Sequence, residues 1–295
     1  MRVTRRGFLT GVAATAAAGF GLGGYAFAIE PRFRLVVAEH DVQSGLWPKN
    51  YPPLRIAMLS DLHACDPWMP VDRINEIVDV TLRLEPDLIV VLGDFAAGLR
   101  RFRTSAIGPD DWARPLARLS APLGVHAVLG NHDWWTDVDA VRHGLRKARI
   151  PVYENDAVKL RINRRRFWLA GLGDQIAHRG RQGGFRGVDD LPGTMKQTRD
   201  GAPVLLMAHE PDIFVKVPRR VALTMAGHTH GGQIRLPGIG RPIVPSQYGE
   251  RFAYGHVVEA GRHLVVSAGL GCSILPVRFG VPPEVTMVTL RPALA

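Results

Sequence analysis

The sequence predicts an α/β fold in which a parallel sheet is packed against a second, largely antiparallel sheet. Three observations predict it: short apolar, β-branched runs recur along the chain, amphipathic helical patterns separate the early runs, and only short Gly-rich or charged turns separate the late ones. Nearly half of the 295 residues are hydrophobic (46%), enough to fill a sizeable core and to argue against disorder.

The early elements read in order. "LRIAML" (54–59), "LIVVL" (88–92), "VHAVL" (125–129), "PVLLMA" (203–208) and "VALTMA" (221–226) are candidate buried strands. Between the first two lies "VDRINEIVDVTLRLE" (71–85), with Ile74, Ile77, Val78 and Leu82 on one helical face; "DVDAVRHGLRKARI" (137–150) is a second helix. The later stretches "AVKLRI", "RRRFWLAGLG", "AYGHVVEAG", "RHLVVSAG" and "EVTMVTL" read as strands without room for crossover helices. Residues 172–193 form a long Gly- and Arg-rich loop, of a length that in compact domains is usually functional or mobile.

Residues 1–28 stand apart from a single domain over 29–295, within which no repeat is evident. Arg5 and Arg6 precede an uncharged Ala/Gly-rich run ending in Ala26-Phe27-Ala28, the pattern of a twin-arginine export signal with its cleavage motif. The uncharged stretch 7–29 is also long enough to span a bilayer, so a retained anchor is the alternative. Either way the protein is expected in the periplasm or on the outer face of the cytoplasmic membrane, with the twin-arginine machinery as its export partner. The net charge of +10 favours phosphates, anionic lipid head groups or nucleic acid, although an arginine-rich genome would give the same excess, and loss of Arg2, Arg5 and Arg6 would still leave +7. Two cysteines, Cys65 and Cys272, are too few for a disulfide framework; one bridge and two free thiols both fit.

Each early strand runs into polar residues of one kind. The five runs are followed by Asp61-Leu62-His63, Gly93-Asp94, Gly130-Asn131-His132-Asp133, His209-Glu210 and Gly227-His228-Thr229-His230. In open α/β sheets this C-terminal edge is where ligands bind. On an extended segment, residues two apart share a side, so Asp61 and His63 are expected to converge, as are His228 and His230. Glycines 93, 130, 227, 231 and 232 permit sharp turns there. Singly, each motif has a plain counterpart: Gly-Asp is a common turn, an isolated His is usually a hydrogen-bonded core residue, and an HxH is usually two packing histidines. Together, at five strand ends, they supply carboxylate, amide and imidazole donors suited to Mn²⁺, Fe²⁺, Zn²⁺ or Co²⁺. Seven donors exceed the needs of one ion, which points to two divalent ions roughly 3.5–4 Å apart that activate water and clamp phosphoryl oxygens.

"DLH", "GD", "GNHD", "H" and "GHTH", in that order between about 56 and 233, resemble the calcineurin-like metallophosphoesterases. "GGQIRLPG" and the tail "VVSAGLGCSILPVRFGVPPEVTMVTL" resemble the exported or membrane-linked bacterial branch of that family. The resemblance implies two stacked mixed β-sheets flanked by helices. It implies a hydrolase of phosphoric ester bonds in which Asp61, His63 and His230 hold one ion, Asp94 bridges, and Asn131, His209 and His228 hold the other. His132 matches the family's non-ligand histidine, which protonates the leaving oxygen or stabilises the transition state. Asp133 either orients the His132 ring or caps the following helix. Cys65 matches no family role.

The resemblance implies a phosphate ester or pyrophosphate as substrate. Exported relatives of this branch include phosphodiesterases and hydrolases of UDP-diacylglucosamine, so a phospholipid or glycolipid is one expectation and a small soluble phosphoester the alternative. Trp134 and Trp135 would stack on a base or sugar, lie against acyl chains, or pack the helix start. Arg100, Arg101 and Arg103 would attract an anionic substrate or membrane. A basic, metal-stabilised binder of envelope polyanions is the competing class, but its arginines should form one stripe, whereas here they are scattered; no nucleic-acid partner is expected.

Overall fold

The fold was analysed in a computed structural model that describes residues 15, 19–96, 98–99, 104–180 and 183–294. Arg100, Arg101 and Arg103, and most of the leader, lie outside the described residues. Among the described residues fifteen strands form in chain order: β1 (Val36–Ser44), β2 (Leu54–Leu59), β3 (Cys65–Asp66), β4 (Leu88–Leu92), β5 (Ser105–Ala106), β6 (Val125–Val128), β7 (Asp156–Ile162), β8 (Arg165–Gly171), β9 (His178–Arg179), β10 (Phe185–Arg186), β11 (Val204–Met207), β12 (Val221–Ala226), β13 (Gly255–Glu259), β14 (Arg262–Val266) and β15 (Glu284–Pro292).

One sheet has the order β1-β15-β2-β4-β6 and the other β13-β14-β12-β11-β8-β7. Period-two alternation decides which side chains meet between them. Leu54, Ile56 and Met58 of β2 point at the second sheet and pack with Phe167, Leu169, Leu205, Met207, Leu223 and Met225. Ala57 and Leu59 point the other way, into a layer completed by the helices Val71–Arg83, Pro109–Leu116 and Val138–Lys147. The outer face of the second sheet is covered through Ile213, Phe214 and Phe252. Each fully buried Leu, Ile or Phe of this kind stabilises the fold by about 1.5–3 kcal/mol relative to exposure.

The helix Val71–Arg83 buries Ile74, Ile77 and Val78, the face expected from their spacing, and joins β2 to β4 in parallel. Asp137 starts the helix Val138–Lys147 by accepting a hydrogen bond from Ala140 N at 3.0 Å.

Two expectations are corrected. The second sheet is not largely antiparallel: β8/β11, β11/β12 and β12/β14 pair in parallel, and only the edge pairs β7/β8 and β13/β14 are antiparallel. Short connections had suggested hairpins, but the long loop after β8 contains the helix Leu191–Lys196 and returns the chain to the same edge, as a parallel partner requires. The final strand, β15, does not join the second sheet. It enters the first, parallel to β1 and antiparallel to β2.

Residues Tyr25–Ile29 form a turn of π-helix continued by the α-helix Glu30–Phe33. This segment is tied to the body: Ala26 O accepts from Arg278 N at 2.9 Å, Phe27 O from Trp68 Nε1 at 3.2 Å, and the buried Glu30 carboxylate from Gly280 N and Val281 N at 3.1 and 2.7 Å. Among the described residues, no helix is long and apolar enough to cross a membrane.

Candidate metal centre

Parallel pairing places the C-terminal ends of β2, β4 and β6 at one edge of the first sheet, and those of β11 and β12 at the corresponding edge of the second. Backbone hydrogen bonds join the loops that follow: Asp61 N to Gly93 O (3.0 Å), His63 N to Asp94 O (2.9 Å) and Gly227 N to His209 O (3.0 Å). All seven expected ligand residues and His132 come together there.

Their convergence does not come from extended alternation. Asp61, His63, Asp94, His228 and His230 all have positive φ, between 46° and 69°. Left-handed backbone at a non-glycine residue costs about 1–3 kcal/mol and persists only where surrounding structure enforces it. Five such residues in one cluster mean that the fold spends stability on aiming these side chains. Gly130 shows the same crowding: a Cβ there would lie 2.6 Å from Asp94 N and 2.7 Å from the His209 ring.

The donor atoms form overlapping groups. Those of Asp61, His63 and His230 lie within 4.8 Å of one another, as do those of His63, Asp94 and His132, those of Asp61, Asp94 and His209, and those of His209, Glu210 and His228. Asn131 Oδ1 lies 2.9 Å from His228 Nδ1. Asp61 and Asp94, shared between neighbouring groups, suit two adjacent cations better than one.

Local hydrogen bonding shows that this cluster fits cations. His63 Nδ1 faces Ala96 O at 2.9 Å and His209 Nδ1 faces Leu92 O at 2.6 Å, so each donates there and turns the lone pair of Nε2 inward. The inward His63 Nε2 then meets His230 Nε2 at 3.1 Å and Asp94 Oδ2 at 3.5 Å. His209 Nε2 lies 3.3 Å from Asp94 Oδ2 and 4.0 Å from Asp61 Oδ1, yet makes no hydrogen bond of acceptable geometry. Arg278 donates to His230 Nδ1 at 3.2 Å, which puts the His230 proton on Nε2, facing His63 Nε2; it is between His209 Nε2 and Asp94 Oδ2 that two buried acceptors meet, and a cation there would relieve them. The O/N donor set, without thiolate, matches borderline divalent metals.

The electrostatics point two ways among the ligands: burial raises Asp61 above the usual carboxylate value, and at His209 burial is outweighed by the Asp94 carboxylate, which holds the imidazole well above the usual histidine value. Burial disfavours charge on Asp94, but His209 and His132 outweigh it and hold the carboxyl well below the usual carboxylate range. Burial, then His63 and the Arg278 guanidinium, keep His230 well below the usual histidine value and therefore neutral, as a metal ligand must be. Burial also pulls His132 down to about 3, with Asp94 opposing and His63 and His209 adding to the fall.

Asp133 does not orient the His132 ring. Its carboxylate accepts hydrogen bonds from the backbone N–H groups of Asp94 (3.0 Å), Phe95 (2.8 Å), Ala96 (2.9 Å) and Gly130 (2.9 Å), capping the helix Asn131–Thr136 and fixing the loop that carries Asp94. Asp133→Ala would leave these buried donors unpaired. At about 1–3 kcal/mol per group, only partly additive, a loss of about 4 kcal/mol and a Tm lower by roughly 10 °C are expected in calorimetry.

The partner of the His132 ring is Ser273, whose Oγ lies 3.1 Å from Nε2. Sequence reasoning missed Ser273, which lies in the tail that resembles the bacterial branch but is singled out by no signal of its own. It also left Glu210 and Asp174 unassigned. These two buried acids face each other, and burial followed by the Glu210 charge pushes Asp174 up to about 10, so Asp174 holds a proton. Arg278 is fully buried and donates to Gly271 O, Val281 O and Ala268 O beside His230. Cys65 and Cys272 are both free and pack together with Leu99 under the site.

The two tryptophans separate. Trp134 packs into the helix layer, under Arg142 at 5.1 Å from its ring. Trp135 lines a cavity of about 690 Å³ together with Asp94, Asn131, His132, His228 and His230. Phe185 stacks on Trp135 at 5.6 Å and Arg179 lies 3.8 Å from its ring centroid, so the long 172–193 loop folds back as the β9–β10 ladder to wall the cavity.

A family model described as calcineurin-like phosphoesterase matches residues 54–232. The chain is 32% identical to an uncharacterized metallophosphoesterase, YkuE, of Bacillus subtilis, over 98% of both chains. It is 30% identical to the phosphodiesterase YaeI of Escherichia coli, over 98% of this chain and 99% of that one. An uncharacterized metallophosphoesterase of Aquifex aeolicus is 31% identical over 87% of this chain and 92% of its own.

Proposed function

The chain belongs to the calcineurin-like phosphoesterase family and is a metal-dependent hydrolase of phosphoester bonds, and from that premise we propose that its substrate is an amphiphilic phosphodiester or pyrophosphate, a phospholipid or glycolipid of the UDP-diacylglucosamine kind. The observation that carries this reading is the cavity: it is lined by Asp94, Asn131, His228, His230 and His132, by the apolar Trp135, Ile176, Phe185, Ile243, Ile274 and Leu275, and by polar groups such as Gln175, Asp212 and Lys216. Phosphate chemistry beside apolar side chains suits a charged head joined to acyl chain.

In this reading Asp61, His63 and His230 hold one divalent ion, Asn131, His209 and His228 the other, and Asp94 serves both. When bound, the ions supply Lewis acidity, a water made nucleophilic at neutral pH, and charge to match the developing phosphoryl oxygens. The protein's own residues orient and protonate. Asp94 Oδ1 accepts the backbone N–H of His132 at 2.8 Å, so the bridging carboxylate and the proton donor share one rigid frame. The bound phosphodiester anion raises the proton affinity of the His132 ring, as an opposite charge does, so that the ring can hand a proton to the departing oxygen. Ser273 Oγ holds Nε2 in place until then.

We place the enzyme at the outer face of the cytoplasmic membrane, delivered by twin-arginine export, and read its leader as a retained anchor. Supporting retention, the carbonyls of Ala26 and Phe27 are both hydrogen-bonded and the segment is helical, whereas a leader peptidase needs an accessible, extended strand. Manganese, iron, zinc and cobalt all suit the donor set.

The test compares methyl p-nitrophenyl phosphate with a long-chain alkyl p-nitrophenyl phosphate in mixed micelles, which lose the same leaving group, using protein chelated and then reloaded with Mn²⁺. At about 0.8 kcal/mol per buried methylene, three such groups in the cleft raise kcat/KM for the long-chain diester by about 50-fold. Equal or higher kcat/KM for the small diester would establish the soluble-substrate alternative. Loaded protein inert toward both, with polyanion binding intact in Asp94→Asn, would favour the envelope-binding class.

A further inference from the structure

The segment 273–281 runs from the catalytic histidine to the N-terminal helix. At one end Ser273 Oγ touches His132; at the other, Arg278, Gly280 and Val281 donate their backbone N–H groups to Ala26 O and the Glu30 carboxylate, and Tyr25 stands edge-on to Phe279 at 6.4 Å. Between the two ends sits Ile274, with φ at +64° and 72% of its surface exposed. A β-branched side chain is the least suited to left-handed backbone, and an isoleucine left in water gains nothing from burial. Neither local conformation nor the protein core accounts for it.

A second loop lies alongside. Arg235 N donates to Phe279 O at 2.8 Å and Phe279 N to Gln233 O at 2.9 Å, which fixes residues 233–243 beside the same strap. This loop exposes Ile239 (73%) and Ile243 (72%). The helix on the strap's other flank exposes Phe20, Leu22, Phe27, Ile29 and Phe33. With Leu275, these three adjoining segments carry nine of the sixteen exposed large hydrophobic side chains among the described residues. That concentration exceeds what scattered surface residues produce and marks an interaction face.

Its chemistry selects the partner. Arg32 and Arg34 follow the apolar helix, with Arg32 stacked over Phe33 at 5.1 Å, and Arg235 and Arg241 flank the isoleucine loop. Apolar and aromatic groups bordered by arginines match the boundary between acyl chains and anionic head groups. The uncharged sequence 7–29 leads directly into this face. A protein partner would be expected to meet paired polar groups as well; here the tips are aliphatic.

We propose that this face, built from the helix ending at Phe33 and the loops carrying Ile239, Ile243, Ile274 and Leu275, docks on an anionic lipid bilayer with the mouth of the catalytic cleft turned into the membrane. The inference rests on the proposed amphiphilic substrate only for its purpose; the docking itself is tested apart from turnover. Ile243, Ile274 and Leu275 belong both to the docking face and to the cleft wall, so docking opens the cleft to lipid without exposing the metal ligands to bulk water.

Three full-length variants, Ile239→Cys, Ile274→Cys and Arg164→Cys, are labelled with an environment-sensitive fluorophore and bound to phosphatidylglycerol/phosphatidylethanolamine vesicles. Labelling is selective because Cys65 and Cys272 are buried, and burial pushes the Cys65 thiol up to about 11. Arg164 lies at the β7–β8 turn, at the opposite end of the second sheet from the ligand-bearing strand ends. Labels at 239 and 274 are expected to shift to the blue and lose most of their emission to a quencher in the acyl-chain region, while the label at 164 keeps its emission. Labels at 239 and 274 as wet as that at 164, or no vesicle binding, would overturn the proposal. Bis-p-nitrophenyl phosphate turnover at the parent rate by the Ile239→Cys and Arg164→Cys proteins shows that the labelled proteins are folded, and a preference of the unlabelled parent for short-chain over long-chain diesters with quenching intact would overturn the amphiphilic-substrate reading and leave docking standing.

Discussion

Asp94→Asn is expected to abolish turnover and strip bound metal while leaving the fold intact. Asp94 belongs to two of the overlapping donor groups, and its Oδ2 is the oxygen nearest both His63 Nε2 and His209 Nε2. An amide there provides one neutral oxygen where a carboxylate provided two charged ones, so neither cation position keeps its shared anion. Elemental analysis should find fewer than two ions per chain. A loss of about 4 kcal/mol in transition-state stabilisation corresponds to a fall in kcat/KM of about a thousandfold. Folding should survive because the amide oxygen can still accept the His132 backbone N–H, and the Asp133 contacts that hold the loop are untouched. Full metal content with wild-type rates would refute the bridging role.

His132→Ala should separate chemistry from metal binding. The ring is hydrogen-bonded to Ser273 and lies edge-on to His63 at 4.8 Å, above the ligand cluster. Its removal is expected to lower kcat by about 10²–10⁴, the usual worth of a positioned proton donor, with both ions retained. The loss should shrink for substrates whose leaving group has a low pKa, because such an oxygen departs without a proton. A metal content that falls with kcat would recast His132 as a ligand.

Much of the site was legible because its residues occupy strand ends, where apolar runs stop abruptly at Asp, Asn or His. The strands β2, β4 and β12 coincide with the runs 54–59, 88–92 and 221–226. β1 was not legible: it alternates charged and apolar residues at a sheet edge, with Glu39, Asp41 and Gln43 in water, and so lacks a core-strand signal. The place of β15 was hidden for a different reason, since its partners β1 and β2 lie more than two hundred residues away in sequence. Ser273 and the strap could be found only in three dimensions. Asp133 was half legible: its helix-capping position is local, whereas its bonds to residues 94–96 cross between strands. The convergence of Asp61 with His63 was correctly expected but wrongly explained, because period-two alternation applies only while a strand remains extended.

The position of β15 bears on biosynthesis. β15 is made after the other described strands and lies between the first two, so until it emerges the sheet bearing Asp61 and Asp94 lacks its second strand in from the edge. Before that point the chain cannot complete the sheet that carries these two ligands. Removing a few residues of β15 would therefore unpair β1 and weaken the sheet that carries Asp61 and Asp94.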